Sequence, residues 1–504
     1  GVPLDKSIII TFSEETWMGT RYLPRVFHTS RPAFSLGVNA ANLLLRNIAG
    51  EAEKSETVLL DDNVLKTGIE LPRYSPARKK LPDRKLPARK SPELRLLMLE
   101  SSFSSDAIKI LAPKFRNDYG VSLVIDTEVQ DRLFNRILED AQLSNPFYDI
   151  YMFDIPWLNF LVQNGFLEDI SNFITRDKVY YNSIIKEILR NSMYQGRYYS
   201  IPFLGGAQLM FYRIDVFEDP ILSKDYFNTC GTKLRPPRTW PEFNTVAKFF
   251  TRKYNRSSPV EFGASCHGAI AEEICPDIYS RIWGFGGQVF NRKNLPELYS
   301  ENNIRAFENL IELQNYTPSP VLSGSILEAV RDFYTGKSAM LVTFTEYAAK
   351  IMDAINRNIF GKLGFTFIPA RTPISVGWNL GINIFSRKKE TALEFFNWLY
   401  RKDLSYYLTI LGGQGTSVYP YENNELLKLY PWMQITIENF KFVRNRLTSH
   451  KKNSIVIPWN KIENIIYLNT KRMFAGESPE TCLRAMDSEI TGLMSVYGHF
   501  RGNN

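Results

Sequence analysis

From Leu94 onward the chain alternates between two hydrophobic periods. Leu94-Arg95-Leu96-Leu97-Met98-Leu99 is a nearly unbroken apolar run, the pattern of a strand buried on both faces. Asp106 to Tyr119 then sets Ile108, Ile110, Leu111 and Phe115 on one face of a helix that Gly120 is placed to stop. Val121-Ser122-Leu123-Val124-Ile125 predicts a second strand, Leu133 to Leu143 a second helix, and Tyr148 to Phe153 a third strand. This succession predicts right-handed crossovers and an α/β fold, a parallel or mixed sheet with helices on both faces. In such sheets ligands sit beyond the carboxyl ends of strands. The loops to watch therefore begin at Glu100-Ser101-Ser102-Phe103 and at Asp154-Ile155-Pro156-Trp157.

Before Leu94 the pattern is thinner. Ser7 to Phe12 is a short β-rich run, Phe34 to Ile48 has helical spacing ended by Gly50, and Thr57 to Leu60 reads as a strand. About 70 residues of this kind are too few to close a core alone. Between Pro72 and Pro92 stand five prolines and eight cations against one acid, Asp83, a local charge of +7. The whole chain carries +8, so the remainder is near neutral. Proline locks φ and removes a donor, so this stretch reads as an extended, self-repelling linker, with a basic arm for nucleic acid or an acidic partner as the functional alternative. The expected division is an N-terminal piece over 1–71, a basic linker over 72–93 and a body over 94–504 that folds without residues 1–90.

Composition narrows the class. At 504 residues the chain is too long for one ordinary core, and 44% hydrophobic with 23% charged residues excludes disordered and fibrous proteins. No run of about 18 apolar residues is present, so no transmembrane helix is expected. The start, Gly1-Val2-Pro3-Leu4-Asp5, shows neither signal peptide nor lipobox cysteine, and without an initiating Met it leaves a removed signal open. Cys230, Cys266, Cys275 and Cys482 have no metal or redox spacing and read as buried free thiols. No cofactor or metal is expected. The HExxH, GxxxxGK[ST] and GxSxG patterns are missing. Ser265, Cys266 and His267 are consecutive in a glycine-flanked segment, which cannot turn them toward one another as a catalytic group. No enzyme is expected, although a carboxylate pair for glycoside hydrolysis is invisible in sequence.

A set of ordered motifs goes further. Pro146 to Ile150 precedes a strand; Asp154-Ile155-Pro156-Trp157 leads to Asn164-Gly165-Phe166-Leu167-Glu168; Gly196-Arg197-Tyr198-Tyr199-Ser200-Ile201-Pro202-Phe203 is followed by Phe211-Tyr212-Arg213-Ile214-Asp215. Pro236-Pro237-Arg238-Thr239-Trp240-Pro241-Glu242 and Gly336-Lys337-Ser338-Ala339-Met340 complete the series. In order and spacing these resemble the family-1 extracellular solute-binding proteins, the maltose-binding-like receptors of sugar ABC transporters, over about 94–497. Two departures stand out: Phe147 separates Pro146 from the strand, and Arg213 replaces an Asn. The segment Pro24 to Leu60, above all Gly37-Val38-Asn39-Ala40-Ala41-Asn42-Leu43-Leu44-Leu45, resembles the C-terminal end of a LacI-type repressor sensor domain. The first resemblance implies a two-lobed periplasmic-binding-protein-like (class II) fold. Lobe 1 would hold about 94–205 and 371–430, lobe 2 about 206–370 and 431–500. Hinges would lie near Phe203–Ala207, Ile368–Arg371 and Lys428–Pro431.

Sugars offer apolar CH faces and a rim of hydroxyls, so the expected site combines aromatic platforms with planar polar groups. Trp157, Trp283, Phe344, Tyr347, Trp378, Trp432 and Trp459 are the candidate platforms. Glu100, Ser102, Asp154, Glu346, Asn379 and Gln414 are the polar candidates, each at an expected strand end or glycine loop. Trp240 and Trp398 read as packing residues. Together the two resemblances imply a cytoplasmic carbohydrate sensor of a sugar-responsive transcriptional regulator, closing on an oligosaccharide and reaching DNA only through a head that this chain lacks. The alternative is an extracellular, membrane-associated sugar receptor partnered by an ABC permease.

Overall fold

In the computed structural model the described residues are 92–497, apart from 101–103, 144, 353–358, 360, 412–414 and 447–456, together with four short strands nearer the N-terminus. Those strands pair in twos, Ile9–Ile10 parallel with Val26–Phe27 and Val58–Leu60 antiparallel with Asn63–Leu65. The helix expected over 34–48 and the basic linker up to Ser91 lie outside the described residues, and Glu93, expected as the linker's last residue, already begins a strand. Gly1–Ser91 and Pro92–Asn504 are separate compact units.

The unit from Pro92 is a two-lobed α/β periplasmic-binding-protein-like fold built on one curled mixed sheet. It opens with β1 (Glu93–Leu99), α1 (Ser105–Tyr119) and β2 (Ser122–Glu128). Gly120 ends α1 in the left-handed conformation, φ 70°, where a side chain would be strained. After α2 (Gln130–Ala141) comes β3 (Ile150–Asp154), and both β2 and β3 lie parallel to β1. The long β4 (Ile201–Arg213) is buried at every position but Tyr212. A strand of that length with no polar face has to run through more than one core. Farther on come α3 (Trp240–Phe250), β5 (Phe262–Ser265), α4 (Ala271–Gly284), β6 (Ser338–Phe344), β7 (Leu363–Phe367) and β8 (Ser375–Ile382).

The pairing of β4 explains the two lobes. Its first half, Ile201 to Ala207, lies antiparallel to β8, and β8 pairs with β3 through Trp378 opposite Asp154. Its second half pairs with β6, Gln208 opposite Phe344, and with β7, Leu209 opposite Phe367. One strand thus leaves lobe 1 and enters lobe 2 between Ala207 and Gln208. The segment 368–374 between β7 and β8 makes a second crossing. A third runs from Thr416, whose hydroxyl donates to Pro202 O at 3.2 Å, to Trp432 in the lobe 2 core.

Lobe 1 has one hydrophobic cluster over Leu94–Leu204 and Leu380–Leu404. Lobe 2 has two, because its sheet is covered on both faces. Leu209, Phe211 and Leu341 face one cluster, while Met210 and Met340 face the other, the period of two that a pleated strand imposes. The first of these clusters takes in the C-terminal helices α5 (Trp459–Phe474) and α6 (Pro479–Val496). Trp240 and Trp398 are fully buried; their indole nitrogens donate to Ser280 O (3.2 Å) and to Asp118 Oδ2 (3.1 Å), so both are packing residues.

Backbone constraint gathers where the chain crosses. A Cβ on Gly377, at φ 152°, would lie 2.3 Å from Leu204 O, and one on Gly205 would lie 2.7 Å from Ile188 Cδ1. Ala370 (φ 62°) and Arg371 (φ 52°) are left-handed without being glycine. Three expectations are corrected. Ser265 ends a strand rather than lying in a loop, and its Oγ is 2.7 Å from Ser338 Oγ. Trp283 lies in the last turn of α4 rather than starting a flexible loop. All four cysteines are free, yet only Cys275 and Cys482 are buried; Cys230 and Cys266 are half-buried.

Candidate ligand-binding cleft

Both lobes present the same local device. In lobe 1, β3 runs into a 3-10 turn, Ile155–Trp157, and then a short helix, Leu158–Gln163. In lobe 2, β6 runs into the 3-10 turn Thr345–Tyr347 and the helix Ala348–Ile351. Pro156 near the start of the first turn fits because its missing N–H would be unpaired there anyway. Asp154 precedes that turn but its side chain makes no capping bond, which leaves the carboxylate for another partner.

That partner is Arg446. Its Nη2 donates to Asp154 Oδ1 (3.3 Å) and Oδ2 (3.4 Å), and its Nη1 donates to Glu463 Oε1 on α5 (2.8 Å). The Arg446 side chain is only 6% exposed and that of Asp154 14%. One guanidinium therefore joins a strand end of lobe 1 to a helix of lobe 2. Burial disfavours its charge, but Asp154 and Glu463 outweigh this and raise its pKa further. Burial pushes the Asp154 carboxyl up and Arg446 opposes it. Glu463 is pushed up to about 7, again by burial first and against Arg446. Across the cleft Glu346 is also pushed up to about 7, by burial and then by the charge of Asp154. It makes no ion pair among the described residues. Burial, followed by Glu346, raises the Tyr347 hydroxyl.

Beside Arg446 lies a cavity of about 220 Å³. Tyr279, Trp283, Phe290 and Trp459 give it aromatic walls, and Gln288, Asn291, Arg292, Asn294, Asn445 and Arg446 give it polar ones, all of them in lobe 2. Trp283 stacks on Tyr279 (centroids 5.8 Å apart, 21° between planes) and lies under Arg444 at 5.7 Å. A second void, lined by Pro202, Tyr400 and Thr416, holds about 20 Å³, on the scale of one water.

The structure divides the thirteen expected site residues. It brings Asp154, Glu346, Tyr347 and Trp378 to the junction of the lobes, and Trp283 and Trp459 to the cavity. Trp378 pairs opposite Asp154 and sets its ring edge-on to Trp157 (5.7 Å, 90°). Trp157 itself is buried in the lobe 1 core against Phe134, so its ring is packing rather than platform. Phe344 and Trp432 are core residues of lobe 2. Trp459 is nearly all core, its indole donating to the Tyr279 hydroxyl at 3.2 Å. Asn379 is fully buried inside lobe 1, where its Nδ2 donates to Asn191 O, Ser192 Oγ and Ser200 Oγ. A strand alternates its faces, and Asn379 falls on the face away from the cleft. Glu100 is exposed at the end of β1. Ser102 and Gln414 lie outside the described residues. Arg446, Glu463 and Tyr279 went unnoticed in the sequence. Arg446 is 292 residues from Asp154, and no local motif marks it.

The sequence pattern of the bacterial extracellular solute-binding proteins matches residues 104–404, more than half the chain. The chain belongs to that family. Among its relatives is a binding protein of Brucella abortus (strain 2308), 22% identical over 291 residues; the chain spans 66% of that protein's length, and the alignment covers 56% of this chain. Two solved structures share the fold. One is an ABC transporter solute-binding protein of Agrobacterium radiobacter K84 in complex with ribitol, at TM-score 0.67 and 21% identity, covering 80% of this chain and 98% of that one. The other is the maltose-bound MalE3 of T. maritima, at TM-score 0.66 and 19% identity, covering 80% and 99%. The family match overturns the expected cytoplasmic transcriptional regulator, because these are extracellular binding proteins. That expectation rested on the likeness over Pro24 to Leu60, on the lack of a visible signal and on the basic linker, and the matched region begins beyond all three.

Proposed function

We propose that the chain is the solute receptor of an ABC transporter and that its solute is a sugar or a sugar alcohol. The observation that carries this reading is the aromatic-walled cavity of about 220 Å³ beside an arginine that reaches both lobes. Aromatic walls suit the CH faces of a polyhydroxyl solute, and guanidinium and carboxylate groups suit its hydroxyls. The ribitol and maltose in the two solved neighbours support the same solute class. Capture works by differential affinity: a solute that touches both lobes stabilises the closed arrangement over the open one. A permease would then read the closed shape, outside the cytoplasm.

The test is isothermal calorimetry of the full chain against ribitol, D-mannitol, D-glucose and maltose, with small-angle scattering of the free and saturated protein. Saturable binding of at least one, with a contraction on saturation, is the expected result. Silence across the panel, with no thermal shift, would sink the proposal.

A further inference from the structure

We propose that the Asp154–Arg446 ion pair is a latch between the lobes, and that Arg446 turns a repulsion across the cleft into an attraction. The proposal goes beyond the receptor function and can be tested with no solute present.

Placement is the first ground. Asp154 ends β3 and is held in the lobe 1 sheet by its pairing with Trp378. Arg446 is held in lobe 2, where its Nη1 donates to Glu463 on α5 at 2.8 Å. Its bonds to Asp154 are longer, 3.3 and 3.4 Å. Charged N–H···O bonds are strongest near about 2.7–2.9 Å. Opening the lobes therefore breaks the Asp154 contact and leaves Arg446 on Glu463. Among the described residues this is the one ion pair that joins the lobes. Away from the crossings the lobes also meet where Phe160 stands edge-on to Tyr497, ring centroids 6.4 Å apart, and that contact carries no charge.

Charge is the second. A buried ion pair by itself can break even, because desolvation cancels its attraction. Here the alternative to the pair is a repulsion. Glu272, Glu346 and Glu463 are the lobe 2 acids that interact with Asp154. Burial is the largest influence on Asp154, Glu346 and Glu463, and Arg446 opposes it on Asp154 and Glu463. Beyond these, the charge of Asp154 raises Glu346 and Glu463, and that of Glu272 raises Asp154. Each of these couplings crosses the cleft. Without Arg446, closing would bring the lobe 1 carboxylate toward like charges alone. With it, the same approach ends on a guanidinium.

The cavity is the third. Its walls all lie in lobe 2, so contacts made there do not draw in lobe 1. The latch supplies a closing force that a solute held by lobe 2 alone does not, and it shifts the balance by its differential contact in the closed arrangement.

The test is single-molecule energy transfer on the full chain without solute. At about pH 8, Glu346 and Glu463, which titrate at about 7, are mostly ionised. Fluorophores are carried on non-natural residues at positions 390 and 308, where Glu390 of lobe 1 and Glu308 of lobe 2 are exposed. Wild type should populate mainly the closed distance. Asp154→Asn should lower the closed-to-open ratio about tenfold while melting as a folded protein. Arg446→Gln leaves Asp154 among the lobe 2 acids and should lower the ratio further. Adding Asp154→Asn to Arg446→Gln should then raise the ratio, a reversal of sign that a merely structural role would not produce. Where Arg446→Gln does not melt cooperatively, Arg446→Lys keeps the charge without the planar fork and should fall between wild type and Asp154→Asn. A wild type found mainly open, or a ratio in Asp154→Asn within about twofold of wild type, overturns the latch. The same sign of Asp154→Asn in both backgrounds overturns the role given to Arg446. Calorimetric binding of a solute in either case leaves the receptor function standing.

Discussion

The two strand-end turns of the cleft share one backbone plan and differ in what they carry. In lobe 1, Asp154-Ile155-Pro156-Trp157 spends its aromatic ring on the core and sets its carboxylate on an arginine. In lobe 2, Phe344-Thr345-Glu346-Tyr347 buries Phe344 and leaves Glu346 facing Asp154 with no cation of its own among the described residues. One turn is therefore electrostatically settled and the other is not. The strand-end rule finds where a ligand sits, but it does not say which side chain of the turn faces the ligand. That depends on which residue the core claims first.

The sharpest way to break this contrast is at the tryptophans. Trp157 is buried against Phe134, so Trp157→Ala should cost about 3–5 kcal/mol of stability through the cavity it leaves. Trp378 is only partly buried at the junction of the lobes, so Trp378→Ala should cost less stability but about 1–3 kcal/mol of solute affinity. Urea melts and calorimetry on the two variants separate these effects. Equal losses of affinity with equal stability would mean that both rings are platforms and that the two turns are alike after all.

The same contrast shows how much of the molecule was legible in sequence. The βαβ opening of lobe 1 was readable because its periods are local: an apolar run for β1, helical spacing ended by Gly120 for α1. The turns at Asp154 and Glu346 were readable for the same reason. Arg446 was not, because nothing near Arg444-Asn445-Arg446 marks a site; its meaning comes from partners on β3 and α5. Asn379 failed in the opposite way. It sits beside Trp378 in a strand that does line the junction, but one residue along a strand is the other face. The regulator expectation failed because it weighted a short local likeness in 1–71, an unseen signal and a basic linker above the ordered motifs of the body.

A second prediction concerns pH. Glu346 titrates at about 7 in the fold against an ordinary value of 4.5. Between those values the folded protein holds a proton that the unfolded chain has lost, so stability falls as pH rises from about 4.5 to about 7 and then levels. Glu463 acts in the same sense. His267 acts oppositely: burial lowers it to about 4 from 6.5, so it removes stability as pH falls through that window. The wild-type profile should therefore decline across about pH 5–7, with His267 offsetting only one of the two carboxyls below about 6.5, and level above about pH 7.5. Glu346→Gln removes one titrating group and should make that decline shallower. Melting temperatures across pH 5–8 check it, and an unchanged slope would mean that Glu346 already has a partner in solution, which would erase the difference between the two turns.

The smallest expected effect lies in the segment that joins the two halves of the comparison. Ala370 holds φ 62° between β7 and β8, where the chain passes from lobe 2 to lobe 1. A left-handed alanine costs about 1–2 kcal/mol relative to its preferred backbone, and glycine would remove that strain. Glycine also frees the unfolded chain, at about 0.5–1 kcal/mol, and the alanine methyl has a neighbour: a Cβ built on Gly284 would come 3.1 Å from Ala370 Cβ, so the methyl lies close against α4. Losing that methyl costs up to about 0.8 kcal/mol. The terms nearly cancel, and Ala370→Gly should shift stability by less than about 1 kcal/mol while changing solute affinity by less than threefold. A loss of 2 kcal/mol or more would show that the contact with α4, not the backbone strain, governs this crossing, and that the lobes are tied more firmly at α4 than at Arg446.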